Sequence, residues 1–394
     1  MKEGWEYRKL GEICDFRSGF AFKSNKFTKI GEPIIRISDI QNEEIDDSNL
    51  VYFDPKSYTE DLSKYLIYPD DILIAMSGGT TGKIGINTSN RTYYLNQRVG
   101  VFRENKKYLN HRYLFYFLHT KSEESLKIAA GAAQPNLSTA QIKSFLIPVP
   151  SLSEQQSIVD YLDSAFAKID AMKANAEKAL NEAKALFQAS LKEMLEPKEG
   201  WEEKKLSEVV NILNGYAFPS KAFGDNQELK VVKITNVGVG SFIEDISTLP
   251  QKMFIQDVCL KEGDIVIALT RTIISEGLKR AIIPSSYDGA MLNQRVASLR
   301  FSGKINMSFL YYYLGCSIVS DYVWLHVNTL MQPNLSIKDL KSMPVCIPSL
   351  PEQQSIATTL DSLKSKVDHL QENYDKISQE CDALKQAILR QVFE

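Results

Sequence analysis

The segment Pro150-Ser151-Leu152-Ser153-Glu154-Gln155-Gln156-Ser157-Ile158 returns 198 residues later as Pro348-Ser349-Leu350-Pro351-Glu352-Gln353-Gln354-Ser355-Ile356. Each copy places a proline before a serine and a glutamate three positions after that serine. A proline forces extended backbone on the residue before it. The Ser-x-x-Glu spacing is that of a capping box, in which hydroxyl and carboxylate satisfy the free amides of a helix N-terminus. Both copies therefore predict the start of a helix.

The two predicted helices are long and carry matching apolar stripes. Beyond Glu154 and Glu352, neither Pro nor Gly interrupts roughly 40 residues, about 60 Å of helix at 1.5 Å per residue. The stripe of the second helix alternates spacings of three and four, as in a coiled-coil seam, and the same register carried back 198 residues gives the seam of the first. The predicted large seam residues are Leu162, Ile169, Met172 and Leu186 in the first helix and Leu360, Leu363, Val367, Leu370, Tyr374, Ile377, Leu384 and Ile388 in the second. The same register places the small residues Ala165, Ala176, Ala179, Ala183 and Ser190 in the first seam and Cys381 in the second.

The two stripes match in length and complement each other in volume, since the first has small residues where the second has large ones. They predict one intramolecular coiled coil. Antiparallel packing is favoured, because parallel packing would crowd the two globular parts that precede the helices.

The rest of the chain also contains an internal sequence repeat. A period near 196 residues is too long for a solenoid repeat, so it predicts two homologous halves, 1–199 and 200–394, related by a pseudo-twofold. The repeated blocks are Gly4 to Leu10 with Gly200 to Leu206, Gly19 to Phe22 with Gly215 to Phe218, Asp71 to Ala75 with Asp264 to Ala268, Leu95 to Val99 with Leu292 to Val296, and Gln134 to Ser138 with Gln332 to Ser336.

The stretches between these blocks differ from one half to the other. Residues 23–69 share little with 219–262, and residues 76–94 share little with 269–291. One scaffold with two different variable surfaces suggests one task performed on two different targets. Ordinary drift of surface loops after a duplication is the alternative.

Each half combines a mixed globular part with its helix. Short β-rich segments such as Ile34 to Ile37, Ile72 to Ala75 and Val231 to Ile234 alternate with turns, and Tyr113 to Leu118 and Phe309 to Leu314 are expected to be buried helix. The predicted fold is α+β: two homologous mixed α/β domains separated by two long helices that form an antiparallel intramolecular coiled coil. The predicted boundaries are 1–150 for the first domain, 151–197 for the first helix, 198–348 for the second domain and 349–394 for the second helix.

Composition bounds the function of the 394-residue chain. Lys and Arg number 46 against 49 Asp and Glu, a net charge of −3, which excludes a protein that holds nucleic acid merely as a polycation. The globular halves are slightly basic, with 20 basic against 18 acidic residues in 1–153 and 15 against 14 in 200–351. Strong affinity for nucleic acid would therefore need contacts added by a partner.

Cysteine usage and hydropathy narrow the setting. The five cysteines form no CxxC pair and the four histidines stand far from them, so neither a metal site nor a disulfide framework is predicted. The charged first residues lack the apolar region of a signal peptide, and no apolar run of about 18 residues occurs. We expect a protein of the reducing cytoplasm that has no membrane association and needs no cofactor.

The order of the repeated motifs resembles the specificity subunits of type I restriction-modification systems. The family's G-W-x-x-x-x-L, G-x-A-F, L-N-Q-R, Q-x-N-L-S and P-x-L-x-E-Q-Q motifs occur in both halves and span essentially the whole chain. The resemblance implies two target-recognition domains, each reading one half of a bipartite, asymmetric site in double-stranded DNA. It also implies helices that act as a spacer and dock two methyltransferase subunits, to which two restriction subunits with translocase activity can add.

The variable loops are the expected source of DNA contacts. Direct readout needs donors and acceptors at base edges, with Arg suited to guanine and Asn or Gln to adenine, while Lys, Ser and Thr mostly hold phosphates. The candidates are Lys23, Ser77, Thr80, Thr81, Lys83 and Arg91 in the first half, and Thr270, Arg271, Thr272, Lys279 and Arg280 in the second. A solvated turn is the alternative for the two loops.

Two sequence patterns resemble ligand-binding motifs but favour another role. The loop from Ser77 to Lys83 superficially resembles a phosphate-binding P-loop, but it is one residue short and Ile84 stands where Ser or Thr is required. The Asn-Gln-Arg block recurs unchanged at Asn96 and Asn293. Residues that discriminate two different half-sites ought to differ, so a structural or phosphate-contacting role is favoured over base reading.

No catalytic constellation emerges from the sequence. It contains neither an N-P-P-Y-type tetrapeptide nor a Gly-rich cofactor loop, and Pro69-Asp70 lies far from Glu182-Ala183-Lys184. We therefore expect no catalytic residue in the chain and place adenine methylation and ATP-dependent cleavage in its partner subunits. The alternatives are a non-catalytic protein-interaction scaffold built on a coiled-coil rod and a self-sufficient nuclease or methyltransferase with an unrecognised site.

Overall fold

The computed structural model describes residues 5–130, 136–224, 226–274, 277–327 and 333–394. The chain forms two compact units. The first consists of Met1–Ala176 and Asp375–Glu394, and the second of Glu177–Tyr374. Four residues of the repeated blocks, Gly4, Gln134, Pro135 and Gln332, lie outside the described residues.

The first unit contains mixed sheets flanked by short helices. Its strands are β1 Glu6–Lys9, β2 Cys14–Ser18, β3 Phe27–Thr28, β4 Glu32–Ile35, β5 Ile40–Gln41, β6 Glu44–Ile45, β7 Val51–Phe53, β8 Leu66–Ile67, β9 Ile72–Ala75, β10 Ile84–Ile86, β11 Tyr93–Leu95, β12 Val99–Glu104 and β13 Leu146–Val149. Its helices are α1 Leu10–Ile13, α2 His111–Thr120, α3 Ser122–Ala130, α4 Thr139–Ser144 and the first part of α5 Leu152–Leu195.

Three sheets organise this unit. A six-stranded sheet has the order β2-β12-β9-β10-β6-β5, and a five-stranded sheet has the order β3-β7-β4-β11-β8. β1 pairs antiparallel with β13, which joins the beginning of the globular part to its end. All four residues of β9 are buried, as a short apolar run with no polar face requires.

The second unit repeats this plan with fewer strands. They are β14 Glu202–Lys205, β15 Asn211–Asn214, β16 Leu229–Val232, β17 Thr248–Leu249, β18 Ile265–Ala268, β19 Ile273–Ile274, β20 Gly277–Leu278, β21 Arg280–Ile282, β22 Met291–Leu292, β23 Val296–Arg300 and β24 Pro344–Ile347. Its helices are α6 Leu206–Val209, α7 Met307–Tyr313, α8 Ser317–His326, α9 Ile337–Ser342 and α10 Leu350–Phe393, whose last part belongs to the first unit.

The two units share the order of their central strands. The order β15-β23-β18-β21 in the second unit corresponds to β2-β12-β9-β10 in the first, and β14 pairs with β24 as β1 pairs with β13. Of the segments expected to be buried helix, Tyr113 to Leu118 lies in α2, and Phe309 to Leu314 lies in α7 except for Leu314, which follows the last helical residue. The predicted α+β fold with two homologous mixed halves is therefore confirmed. The compact units divide both long helices near their middles, and the four predicted domain boundaries stay a prediction.

An ion pair explains why an aspartate precedes the central strand in both halves. Arg103 Nε and Nη2 donate to the Asp71 carboxylate at 2.9 and 2.6 Å. In the second unit, Arg300 Nη2 donates to Asp264 Oδ2 at 2.6 Å. Both carboxylates are buried, and such a pair is costly to break because the remaining charge would lack a partner.

The start of each long helix is bonded to the globular part of its own unit. Ser151 Oγ accepts the Glu154 amide at 3.3 Å, as predicted for a cap. The Glu154 carboxylate serves a different group from the one a capping box implies, because it accepts the indole N–H of Trp5 at 3.0 Å. Glu352 accepts the indole N–H of Trp201 in the same way at 3.2 Å.

The first glutamine of each Glu-Gln-Gln motif is buried. Gln155 Nε2 donates to the carbonyl oxygens of Tyr108 and Pro150 at 2.8 and 3.0 Å, and its Oε1 accepts the Asn110 amide at 2.8 Å. Gln156 is exposed and accepts the Asn110 side-chain amide. We call Gln155 with its three partners the glutamine clamp.

The second unit has an equivalent clamp. Gln353 Nε2 donates to the Pro348 carbonyl oxygen and its Oε1 accepts the Asn306 amide, both at 2.8 Å. About two turns further along each helix a tyrosine donates to an aspartate, from Tyr116 to Asp163 and from Tyr312 to Asp361.

The long helices pair antiparallel, as predicted. In the first unit, Lys385 Nζ donates to Asp170 Oδ1 at 2.6 Å, and Lys173 Nζ lies 3.5 Å from Asp382 Oδ1. Residue numbers thus fall along α10 as they rise along α5. In the second unit, Lys184 Nζ donates to Gln371 Oε1 at 2.8 Å.

The predicted seam residues differ in burial. Leu162, Ile169, Leu360 and Val367 are buried. Half-buried positions are Leu363, Leu370, Tyr374, Ile377 and Ile388. The prediction is wrong for Met172, Leu186 and Leu384, whose exposed fractions are 61%, 60% and 48%.

The correction has a packing reason. Leu180 and Phe187 are buried and Phe166 is half-buried. Leu180 and Phe187 occupy the seam in place of Ala179 and Leu186, each one residue earlier in the chain and exposed, whereas Ala165 is half-buried beside Phe166. Burial of Leu180 and Phe187 removes more apolar surface from water than burial of Ala179 and Leu186 would.

We predict that Gln155→Leu destabilises the first unit by about 3 to 5 kcal/mol, because it leaves two carbonyl oxygens and one amide unsatisfied at about 1 to 3 kcal/mol each. Gln156→Leu is the matched control and should cost less than about 1 kcal/mol, since its bond lies at the surface. Scanning calorimetry of the full chain measures both. Equal losses for the two variants would contradict the clamp.

Candidate nucleic-acid interface

The repeated blocks of the first unit meet at one group of loops. The Phe20 amide donates to the Leu95 carbonyl oxygen at 2.8 Å, and the Gln97 amide donates back to Phe20 at 2.8 Å. The Met76 amide donates to the Arg98 carbonyl oxygen at 2.8 Å, and the Leu137 amide donates to the Met76 carbonyl oxygen at 2.7 Å. Backbone bonds alone therefore join four blocks that are distant in sequence.

The second unit builds the same arrangement. The Tyr216 amide donates to Leu292 at 2.9 Å, and the Gln294 amide donates to Tyr216 at 3.0 Å. The Leu269 amide donates to the Arg295 carbonyl oxygen at 2.8 Å, and the Leu335 amide donates to the Leu269 carbonyl oxygen at 2.9 Å. We call each arrangement a loop platform, formed by residues 19–20, 76–83, 95–98 and 136–137 in the first unit and by 215–216, 269–272, 292–295 and 334–335 in the second.

The glycine of each G-x-A-F motif is required by this close packing. A Cβ atom on Gly19 would lie 2.1 Å from the Leu95 carbonyl oxygen, and one on Gly215 would lie 2.0 Å from the Asn293 carbonyl oxygen. Any side chain here would push the two loops of the platform apart.

The retained asparagines stabilise their own loops. Asn96 Oδ1 accepts the Arg98 amide and Asn293 Oδ1 accepts the Arg295 amide, both at 3.4 Å. This pattern is an Asx turn, in which a side chain replaces a backbone acceptor two residues away. The geometry supports a structural role for the two asparagines and leaves the following Gln and Arg side chains exposed.

The loop from Ser77 to Lys83 is a packed turn. Thr81 Oγ1 donates to the Gly78 carbonyl oxygen at 2.7 Å, and Ser122 on α3 donates to the Gly82 carbonyl oxygen at 2.9 Å. Gly82 has a φ of +84°, and a Cβ there would lie 2.8 Å from the Ser122 carbonyl oxygen. The turn is therefore held rigidly against α3.

Burial divides the DNA-contact candidates of this turn. Lys83 is exposed and Thr80 is half-buried, whereas Ser77 and Thr81 are buried. Direct contact of their hydroxyls with DNA is therefore contradicted for Ser77 and Thr81 as the loop is folded here. Lys23 and Arg91 are exposed, and Arg91 lies 3.4 Å from Asp47.

The candidates of the second unit are also divided. Arg271 is exposed, with a left-handed φ of +49°, and Thr270 is half-buried. Thr272 is fully buried, and its hydroxyl has no hydrogen-bond partner among the described residues. The predicted direct contact is therefore wrong for Thr272, whereas it stays a prediction for Arg271.

The two remaining cations are held inside the second unit. Lys279 Nζ donates to the Ile234 carbonyl oxygen at 3.1 Å. Burial lowers the pKa of Lys279, and the positive charge of Arg271 lowers it further. Arg280 Nε donates to the Tyr311 carbonyl oxygen at 2.9 Å, and its guanidinium lies over the Tyr311 ring. Burial lowers the pKa of Arg280, so both side chains have structural partners.

Three general features complete the description of the site. Within the described residues, no three His, Cys, Asp or Glu side chains gather as metal ligands would. All five cysteines are unpaired. None of the described helices combines the length and the apolar character needed to cross a bilayer.

Comparison with known proteins gives a consistent result. Residues 2–182 and 198–379 match the family model of the type I restriction modification DNA specificity domain. The chain is 30% identical over 324 residues to the type I restriction enzyme MjaVIII specificity subunit of Methanocaldococcus jannaschii, which covers 77% of this chain and 74% of that protein.

Two solved structures share the fold. A chain from a study of complex assembly and conformational transition in the type I R-M system has a TM-score of 0.75 and 19% identity, covering 99% of this chain and 97% of that one. The HsdS subunit from Thermoanaerobacter tengcongensis has a TM-score of 0.59 with the same identity and the same coverage.

We predict that Thr272→Val leaves DNA affinity and thermal stability unchanged, because the substitution keeps the shape of a buried side chain and removes a hydroxyl that has no described partner. The adjacent Arg271→Ala should weaken DNA binding roughly tenfold through the loss of an exposed guanidinium. Fluorescence anisotropy with labelled duplex measures both. A loss of affinity in Thr272→Val at an unchanged unfolding midpoint would show that its hydroxyl reaches DNA.

Proposed function

The chain belongs to the type I restriction-modification DNA specificity family, and on that premise we propose that it selects the DNA site at which such a complex acts. The observation that carries the proposal is the pair of loop platforms, built by the same backbone bonds in both units but carrying different loops. An identical frame with unlike contact surfaces suits two readers of two different sequences.

Each unit is proposed to read one half of a bipartite, asymmetric site in double-stranded DNA. The first unit presents the packed turn with exposed Lys83, and the second presents Arg271 in a loop without glycines. Side chains that differ in charge, reach and donor pattern favour different base edges. Non-identical surfaces therefore support non-identical half-sites.

The paired helices are proposed to set the spacing of the half-sites. Each contains 44 residues, about 66 Å of helix at 1.5 Å per residue. Half-sites read from one face of B-DNA lie about 34 Å apart or a multiple of that. A stiff helix pair with a buried seam can hold two readers to such a distance.

Catalysis is proposed to reside in partner subunits. Two methyltransferase subunits would supply adenine methylation, and two restriction subunits with translocase activity would supply ATP-dependent cleavage. This chain would contribute site selection in the cytoplasm, where the DNA lies. The near-neutral charge of the globular halves fits this division, because partners that add phosphate contacts would supply much of the affinity.

The exposed residues of the misassigned seam offer a surface for the methyltransferase subunits. Met172 and Leu384 are exposed on the helices of the first unit, and Leu186 is exposed on the second. On α5, Met172 and Leu186 lie two heptads apart, which is the spacing that a partner helix would contact. We propose that each unit docks one methyltransferase subunit through an apolar helical segment packed on this stripe.

An exchange of recognition domains tests the function. Replacing residues 23–145 with the corresponding segment of another family member should change one half of the methylated motif and leave the other half unchanged, as read by single-molecule sequencing of host DNA. The parental chain is the control. Change in both halves would overturn the assignment of one half-site to each unit.

A binding selection separates this function from a protein scaffold. The chain with its methyltransferase partner should enrich one bipartite motif from random-sequence duplexes. If no motif is enriched, the DNA-specificity proposal fails and the scaffold alternative is favoured.

We predict that Met172→Glu and Leu186→Glu each remove one methyltransferase subunit from the complex, because a charge in an apolar contact carries a desolvation cost. Native mass spectrometry should show two partners per chain falling to one for either variant and to none for the double variant. Ala174→Glu and Ala185→Glu are matched controls on exposed alanines of α5. Two partners retained by the double variant would exclude this surface.

A further inference from the structure

The arginines of the chain differ sharply in whether they have partners inside the protein. Nine of the twelve hold an ion pair or hydrogen bond with a described residue: Arg8, Arg17, Arg36, Arg91, Arg103, Arg112, Arg280, Arg300 and Arg390. The other three, Arg98, Arg271 and Arg295, have no such partner among the described residues, and all three are exposed.

These three arginines belong to the loop platforms. Arg98 and Arg295 occupy the same position in the two units, since their carbonyl oxygens accept the equivalent amides of Met76 and Leu269 at 2.8 Å. Arg271 follows the same strand end in the second unit only. Two of the three arginines are therefore a matched pair, and the third is particular to one unit.

The platform fixes the backbone of Arg98 and Arg295, whereas their guanidinium groups have no partner within the part of the chain that the structure describes. The asparagine two residues before each arginine accepts a hydrogen bond from the arginine amide. The arginine carbonyl oxygen in turn accepts the amide of Met76 or Leu269. A guanidinium carries five N–H donors and no acceptor, and its fork matches the oxygens of a phosphate. A fixed backbone lowers the entropy cost of placing that fork on a ligand.

We propose that Arg98 and Arg295 are a matched pair of DNA phosphate contacts, one in each unit, that hold the DNA backbone independently of its sequence. The proposal rests on the proposed function and deepens it. Half-sites that differ in bases still share the same backbone, so a residue retained at the same platform position in both units suits the shared feature. Phosphate contacts position a reader and carry no sequence information directly.

Salt dependence tests this assignment. The chain in complex with its methyltransferase subunits is titrated by anisotropy against two labelled duplexes, one carrying the motif found by sequencing and one of random sequence. Arg98→Ala and Arg295→Ala should each weaken binding roughly tenfold on both duplexes. Each should also lower the slope of log K against log salt by about 0.9, and the double variant by about 1.8.

Two further variants make the test selective. Arg98→Lys keeps the charge and should retain the salt slope, because counterion release depends on charge. Arg8→Ala is the matched control, since Arg8 is paired with Glu6 at 2.8 Å on β1, outside the platform. Unfolding midpoints should stay unchanged for all exposed variants.

The possible outcomes are distinct. An unchanged salt slope in the double variant would overturn the phosphate assignment and leave two solvated surface arginines. A loss confined to the motif duplex, or a change in the methylated motif, would assign the pair to base reading instead. If the parental complex shows no preference for its motif, the proposed function itself is contradicted, whatever affinities the variants have.

Discussion

The attachment of each long helix to its own globular part is the constraint on which the remaining structure depends. Gln155 and Gln353 are buried at these junctions, and their amide groups bond backbone atoms from separate segments. In a helix of 44 residues, a small change of direction at the start becomes a large displacement at the far end. A change of 10° at the start would displace the far end by about 11 Å over a length of about 66 Å. Buried hydrogen bonds, whose loss is expensive, suit such a junction better than a solvated contact.

The loop platforms apply a similar principle to recognition. Backbone hydrogen bonds from Phe20 to Leu95 and from Tyr216 to Leu292 do not depend on side-chain identity, so the frame tolerates substitution in the loops that it carries. Gly19 and Gly215 are the exceptions, because even a Cβ atom would meet a carbonyl oxygen. A frame made of backbone bonds and one glycine explains how two halves can keep one architecture while their contact surfaces diverge.

Burial separates the roles of neighbouring residues that look alike in sequence. Arg271 is exposed and Thr272 is fully buried, although both were candidates for the same DNA contact. Arg280 is satisfied by Tyr311 inside the second unit. Arg295, for which exact repetition favoured a structural or phosphate-contacting role over base reading, is exposed and without a described partner. The side-chain type indicates which ligand a residue could bind, whereas burial decides whether it is free to do so.

The sequence alone determined the duplication and the two long helices, because these depend on repeated blocks, helix signals and heptad spacing that are local or periodic. It also favoured antiparallel pairing, because parallel helices would crowd the globular parts that precede them. It also placed strands such as Ile72 to Ala75. Only the tertiary structure decided which face of α5 enters the seam. Neighbouring positions on this helix are both apolar, yet Leu180 and Phe187 are buried while Ala179 and Leu186 are exposed. It likewise decided which loop side chains reach the surface, because burial is set by contacts between segments far apart in the chain.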